Sequence, residues 1–155
     1  MKVLPTLEGG LRVDLEAGRD WVIFEQLVWD ARGKQEGWLS KKLGSRMEDE
    51  DWAEFVMPEL EGIFASQIET VLAGLKTAKE NEENGEAHFF ILPEEGGAWY
   101  GVLNQARLSL ESEWKLGDLE EVENLEEVEE KRLGAYFRAR FYLLLQSKLL
   151  DHVMD

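Results

Sequence analysis

Residues Ala98–Trp114 read AWYGVLNQARLSLESEW. Charged residues make up 32% of the chain, yet between Gly96 and Leu110 the sole charge is Arg107. At about 100° per residue, Trp99, Val102, Leu103, Ala106, Leu110 and Trp114 fall on one broad stripe. The other side carries Gly101, Gln105, Leu108, Ser109 and Ser112, all small or uncharged, where a water-facing surface would carry charge. A helix with no charged face is covered on more than one side. The stretch from about Glu94 to Trp114 is therefore expected to be the central helix, with Pro93 to Glu95 at its start.

The flanking segments predict what covers it. From Leu133 onward, Tyr136, Phe137, Phe141, Leu144, Leu145, Leu149 and Val153 read as the apolar side of a final helix packed on the central one. On the N-terminal side, "HFFIL" (His88–Leu92) is rich in strand formers. A long helix from Glu59 to about Glu80 precedes it, started by Pro58, which is well tolerated at a first helical position. Its expected buried side is Ile63, Phe64, Ile68, Val71, Leu72 and Leu75. "EDEDW" (Glu48–Trp52) reads as a helix start with acids in the first turn.

The first residues read as a hairpin. "VLPTL" and "LRVDL" flank Glu8-Gly9-Gly10, and Leu11, Val13 and Leu15 alternate with Arg12 and Asp14. That period of two belongs to a half-buried strand. The glycines supply the positive backbone angles of a tight turn, and Pro5 confines the first arm to an edge. An amphipathic helix from about Arg19 to Ala31 follows, built on Trp21, Phe24, Leu27 and Val28. A lone strand cannot satisfy its own backbone, so His88–Leu92 is expected to pair with the hairpin. The fold class is thus α+β, mostly α: a helical bundle around a central helix, with a small antiparallel sheet formed by the N-terminal hairpin and one later strand. Residues 1–155 are expected to form a single domain.

Composition narrows the function classes. The formal net charge is −16, a surface that repels phosphates and anionic membranes and so argues against direct nucleic acid binding. Cysteine is absent, which removes disulfides, thiol nucleophiles and thiolate zinc sites. No apolar run reaches the roughly 20 residues of a membrane span, and the N-terminus lacks a signal-peptide pattern. A cytoplasmic, soluble protein is expected. The two histidines, His88 and His152, lack companions at metal-ligand spacing. No glycine loop for phosphate and no serine in a nucleophile-elbow setting is present. The sequence thus marks no catalytic residue, no cofactor site and no metal site.

Two groups of residues stand out. The acidity is regional: residues 48–96 carry two basic and fourteen acidic groups, and residues 111–132 three and ten. The segment Ala31–Met47 instead concentrates Arg32, Lys34, Lys41, Lys42 and Arg46 around glycines, with Trp38 in its middle. Trp38, Lys41, Lys42 and Arg46 form a candidate interaction loop, set against the alternative that the cations dock on the chain's own acidic helices. The second group is Asn104, Arg107 and Gln146, polar residues inside otherwise apolar helices. They read as a small polar network between packed helices, as an Arg107–Glu111 pair, or as a site for a small anion held by Arg107. "LGDLEEVENLEEVEEKR" (Leu116–Arg132) is the most acidic block, with only a thin apolar stripe that includes Leu119.

The order of these elements is similar to a known family. The pattern Trp99, Leu103, Asn104, Arg107 and Leu108, with Gln146 in the last apolar helix, resembles the bacterial domain of unknown function 2017 family. The resemblance implies an uncharacterised protein with no established catalytic residues. Members occur chiefly in actinobacteria, often encoded beside the adaptor that delivers substrates to the Clp protease. It therefore implies an interaction or adaptor-type protein in proteolysis or protein quality control, acting on a protein partner. Two other functions are compatible with the residues: an acidic decoy for basic or nucleic-acid-binding proteins, and a small-molecule enzyme or sensor using Arg107.

Overall fold

The computed structural model describes residues 1–33, 56–121, 124, 126 and 128–154. Strands β1 (Lys2–Pro5), β2 (Leu11–Leu15) and β3 (Ala87–Ile91) form one antiparallel sheet in the order β1-β2-β3. The described helices are α1 (Gly18–Arg32), α2 (Met57–Glu80), α3 (Gly96–Trp114) and α4 (Glu130–His152). Short 3-10 turns occupy Pro93–Glu95 and Leu116–Glu121. The architecture is mostly α, with the small sheet built from the N-terminal hairpin and the strand at His88, as the patterns predict.

The hairpin closes because two glycines do different jobs. Gly9 adopts φ 91, a left-handed conformation that costs an L side chain energy. Gly10 has no such angle; a Cβ there would stand 2.3 Å from the Ile91 carbonyl oxygen. Its requirement is therefore close approach of β3, where the sequence had pointed to a positive angle. The Thr6 N–H donates to the Gly10 carbonyl at 2.9 Å. By strand alternation Pro5 then turns its nitrogen away from β2, so its missing N–H breaks no ladder bond.

Arg12 pairs across with Phe90, and Asp14 with His88. Leu11, Val13, Leu15, Phe89 and Ile91 all point to the helices and are buried. At the other edge of the sheet, the Asn81 side chain substitutes for a strand. Its Nδ2 donates to the His88 carbonyl at 2.8 Å, and the His88 N–H donates to its Oδ1 at 3.0 Å.

Helix α3 packs against α1, α2 and α4. Its buried residues are Gly96, Trp99, Val102, Leu103, Gln105, Ala106, Ser109 and Leu110. Gln105 and Ser109 flank the main stripe and are buried with it, while Gly101 and Leu108 are half-buried and Ser112 is exposed, so the charge-free side is covered in part. Trp99 stacks on Phe89 with centroids 5.1 Å apart, and Phe24 meets Phe89, Trp99 and Phe141 edge-on. This aromatic group joins the sheet to α1, α3 and α4. The C-terminal carbonyls of α3, which lack intrahelical donors, are met by Arg132: its Nε donates to the Trp114 carbonyl at 2.8 Å and its Nη2 to that of Lys115 at 2.9 Å.

Two expectations about buried faces need correction. In α2, Ile68, Val71 and Ala78 are buried, whereas Ile63 and Leu72 are exposed. Those two lie about 180° apart on the helix, on either side of a contact face centred near Val71. In α4 the buried face is Ala135, Ala139, Tyr142, Leu145, Gln146 and Leu149, while Phe137 and Leu144 are exposed. Small alanines let α4 lie close to its neighbours beside the buried Tyr142, Leu145 and Leu149, and Phe137 and Leu144 fall on the outer side. In the acidic block, Leu116 and Leu119 are buried, so the thin stripe fastens the Leu116–Glu121 turn to the core. "EDEDW" lies outside the described residues.

Candidate functional site

Arg107 sits on the side of α3 that faces α4, one turn from Asn104. Its Nε donates to Gln146 Oε1 at 3.1 Å, its Nη1 to Glu111 Oε1 at 3.1 Å and its Nη2 to Asn104 Oδ1 at 3.1 Å. Gln146 Nε2 donates to the same Asn104 oxygen at 3.3 Å. The structure brings together all three polar residues singled out in the two helices, and Glu111 joins them. Gln146 is 2% exposed, so its amide depends on these bonds, because a buried polar group without a partner is costly. The Arg107 side chain keeps 23% of its surface.

Beside this network lies a pocket of about 200 Å³. Arg107, Glu111, Leu116, Gly117, Tyr136, Ala139, Arg140 and Leu143 line it. A wider trough of about 720 Å³ opens on the outer face of the sheet, among Lys2, Arg12, Asp14, Asn81, Glu83 and His88. Three of its polar side chains, Arg12, Asp14 and Asn81, are engaged already. Arg12 Nε donates to Asp14 Oδ1 at 2.8 Å while its guanidinium lies over the Phe90 ring at 5.6 Å, and Asn81 holds the His88 backbone. Among the described residues, no group of three or more His, Asp or Glu is placed to hold a metal ion.

A second polar cluster was not singled out from the sequence. Asp30, in the last turn of α1, is 8% exposed. Arg138 of α4 grips it with both arms: Nε donates to Oδ2 at 2.8 Å and Nη2 to Oδ1 at 3.1 Å. The Tyr142 hydroxyl donates to Asp30 Oδ2 at 2.7 Å, with the Ile23 carbonyl as a longer alternative at 3.2 Å. Burial, together with the Asp30 carboxylate beside it, pushes the Tyr142 phenol far above its ordinary range. For Arg138 burial acts downward, but its hydrogen bonds to Asp30 and the charge of that carboxylate outweigh it, and its pKa rises. Both groups are held in single protonation states, which suits a fixed clamp between α1 and α4 better than proton transfer. The available signal was the i, i+4 spacing of Arg138 and Tyr142 on one helix face. Which acid they meet is set by packing.

Asp20 anchors the start of α1 by accepting the Glu16 and Ala17 N–H groups at 2.8 and 3.2 Å. Burial raises its pKa, but these backbone bonds and the Met1 ammonium lower it further, and the net direction is down. The interaction-loop residues Trp38, Lys41, Lys42 and Arg46 lie outside the described residues. So do most positions of the basic segment.

The fold and the network define a mostly helical α+β protein with a polar seam between its central and terminal helices. This chain belongs to the family described as Domain of unknown function (DUF2017), whose model matches residues 43–153. The matched region includes α2, β3, α3 and α4, and with them the whole Asn104–Arg107–Gln146 network. Neither the curated proteins nor the solved structures gave a match. No described helix is long and apolar enough to cross a membrane.

Proposed function

We propose that this protein is a single-domain, cytoplasmic interaction protein of adaptor type, acting in proteolysis or protein quality control by holding a protein partner. The observation that carries the reading is the apolar surface the fold leaves in solvent. Trp29 on α1 is 70% exposed and Phe137 on α4 is 55% exposed. Leu144 and Leu150 of α4 are exposed as well. Aromatic residues of this kind supply binding energy at protein interfaces. The loop with Trp38, Lys41, Lys42 and Arg46 is the proposed recognition element: three cations steer an acidic partner and the indole anchors it.

The test is affinity capture from native lysate at low and high salt, read by mass spectrometry. Wild type is compared with Lys41→Glu/Lys42→Glu and with Trp29→Ser. Loss of a partner from either variant, at unchanged melting temperature, supports the reading and locates the surface. Retention of every partner by both variants rejects both surfaces. Capture of basic proteins only, abolished by high salt, would instead support an acidic decoy, since such contacts are screened within about 8–10 Å at ordinary ionic strength. The single-domain proposal calls for one cooperative transition in calorimetry; two separate transitions would reject it.

A second reading is favoured by the pocket beside Arg107. A guanidinium held from three sides at the edge of a cavity is pre-oriented for an anion. On this reading the protein senses a small molecule, with Arg107 as its anchor.

A further inference from the structure

The pocket between α3, α4 and the Leu116–Glu121 turn has a composition unlike the rest of the chain. The sequence holds 33 acidic residues against 17 Lys and Arg. Among the described residues Arg12, Arg107 and Arg138 each pair with a carboxylate. Arg140 lines the pocket, yet among the described residues it has no ion pair. Its contacts are the Tyr136 hydroxyl, 3.5 Å from Nη1, and the Tyr136 ring, 5.7 Å from its guanidinium carbon. The first is long for a hydrogen bond, so nearly all of Arg140's donor capacity remains. Arg107 contributes a second, partly engaged guanidinium. Of the five N–H groups an arginine carries, three are taken by Gln146, Glu111 and Asn104. One N–H on each terminal nitrogen remains.

The remaining wall is apolar or small: Leu116, Gly117, Ala139 and Leu143. Leu116 and Ala139 are buried and fixed by the core. Two cations, a phenol and one carboxylate beside apolar side chains favour a ligand with one negative charge and an attached apolar group. A dianion would meet Glu111, which the geometry keeps beside Arg107. The volume of about 200 Å³ lies below the roughly 300–1,000 Å³ of drug-sized sites, so the ligand is about the size of one amino acid residue. Arginine pairs with carboxylates through two parallel N–H bonds, and Arg140 has the free nitrogens for this.

We propose that this pocket binds a carboxylate carrying a short aliphatic group, held by Arg140 and Arg107 with its aliphatic part on Leu116, Ala139 and Leu143. The proposal deepens the sensor reading of Arg107 by naming its ligand class, and rests on that reading for the anchor. The chemistry is shared by a free branched-chain acid and by the C-terminal leucine of a peptide.

The test uses the full chain and N-acetyl-leucine, followed by the amide resonance of Gly117 and the Nε–H resonance of Arg140. Saturable shifts at both are expected. N-acetyl-leucinamide, which lacks only the charge, should bind at least about tenfold more weakly. Arg140→Gln should weaken the acid by at least about tenfold without moving the melting temperature, because Arg140 is exposed and makes no ion pair among the described residues. Glu111→Gln should tighten it several-fold by removing the opposing charge. A tetrapeptide ending in leucine with a free carboxylate separates the sources: tighter binding than N-acetyl-leucine points to a chain terminus, weaker binding to a free acid. Equal binding of acid and amide, or an Arg140→Gln variant that binds like wild type, overturns the proposal. If inorganic phosphate shifts these resonances and N-acetyl-leucine does not, the ligand class is wrong while an anion site at Arg107 stands. If no probe shifts them at millimolar concentration, both fail.

Discussion

Replacing Arg138 by Met keeps the aliphatic stem but leaves Asp30 buried without its cation. The size of the loss follows from the geometry. Two unit charges about 4 Å apart interact by about 4 kcal/mol at an effective dielectric near 20. The Arg138 side chain keeps 23% of its surface, so solvent screens part of this. The two N–H bonds at 2.8 and 3.1 Å go to a charged acceptor, the stronger class of hydrogen bond. A net cost of about 2–3 kcal/mol is expected, below the roughly 3–5 kcal/mol of a fully buried broken pair. For a chain of 155 residues this corresponds to a melting temperature lower by about 5–10 °C.

Asp30→Ala should cost less, about 1–2 kcal/mol, because Arg138 can then turn to water and Tyr142 can still donate to the Ile23 carbonyl. The assay is urea unfolding of wild type, both single variants and the double variant, giving a coupling energy. Coupling below about 0.5 kcal/mol, or a larger loss for Asp30→Ala than for Arg138→Met, would refute the clamp between α1 and α4.

Other outcomes follow from the same packing. Leu103→Ala, at a side chain with no exposed surface, should cost about 2–5 kcal/mol in denaturant unfolding; a loss under about 1 kcal/mol would contradict the central position of α3. Gly10→Ala places a methyl on the Ile91 carbonyl, which cannot move aside as a flexible side chain would, so a loss of about 1–3 kcal/mol and faster amide exchange in β2 and β3 are expected. Unchanged exchange would show that the hairpin has slack. Asp20 is depressed in the folded state, so it stabilises fully above its unfolded value near 3.9, and this contribution is lost as pH falls through the lower folded value. The stability deficit of Asp20→Asn should therefore be complete at pH 7 and vanish at strongly acidic pH. A deficit independent of pH would assign the effect to packing.

The element order, the strand pairing partner and the central position of Ala98–Trp114 were legible in the sequence because each rests on local pattern. A charge gap, an alternation of two and a proline at a helix start act through backbone geometry and solvent, wherever the chain lies. Asn104, Arg107 and Gln146 stood out for a related reason: a polar side chain inside an apolar helix needs a partner. Tertiary structure alone decided which groups those partners are, and that one Asn104 oxygen serves both Arg107 and Gln146. It also decided that Asp30, rather than any other acid, meets Arg138 and Tyr142. It selected the face of α4, burying Ala135 and Ala139 and leaving Phe137 and Leu144 in water, because the closeness of two helices favours small residues that a hydrophobicity count ranks low. The pocket at Arg140 has no sequence signature at all. It exists because a 3-10 turn fastened by Leu116 and Leu119 meets the flank of a helix, and shape of that kind is a property of packed surfaces rather than of any one segment.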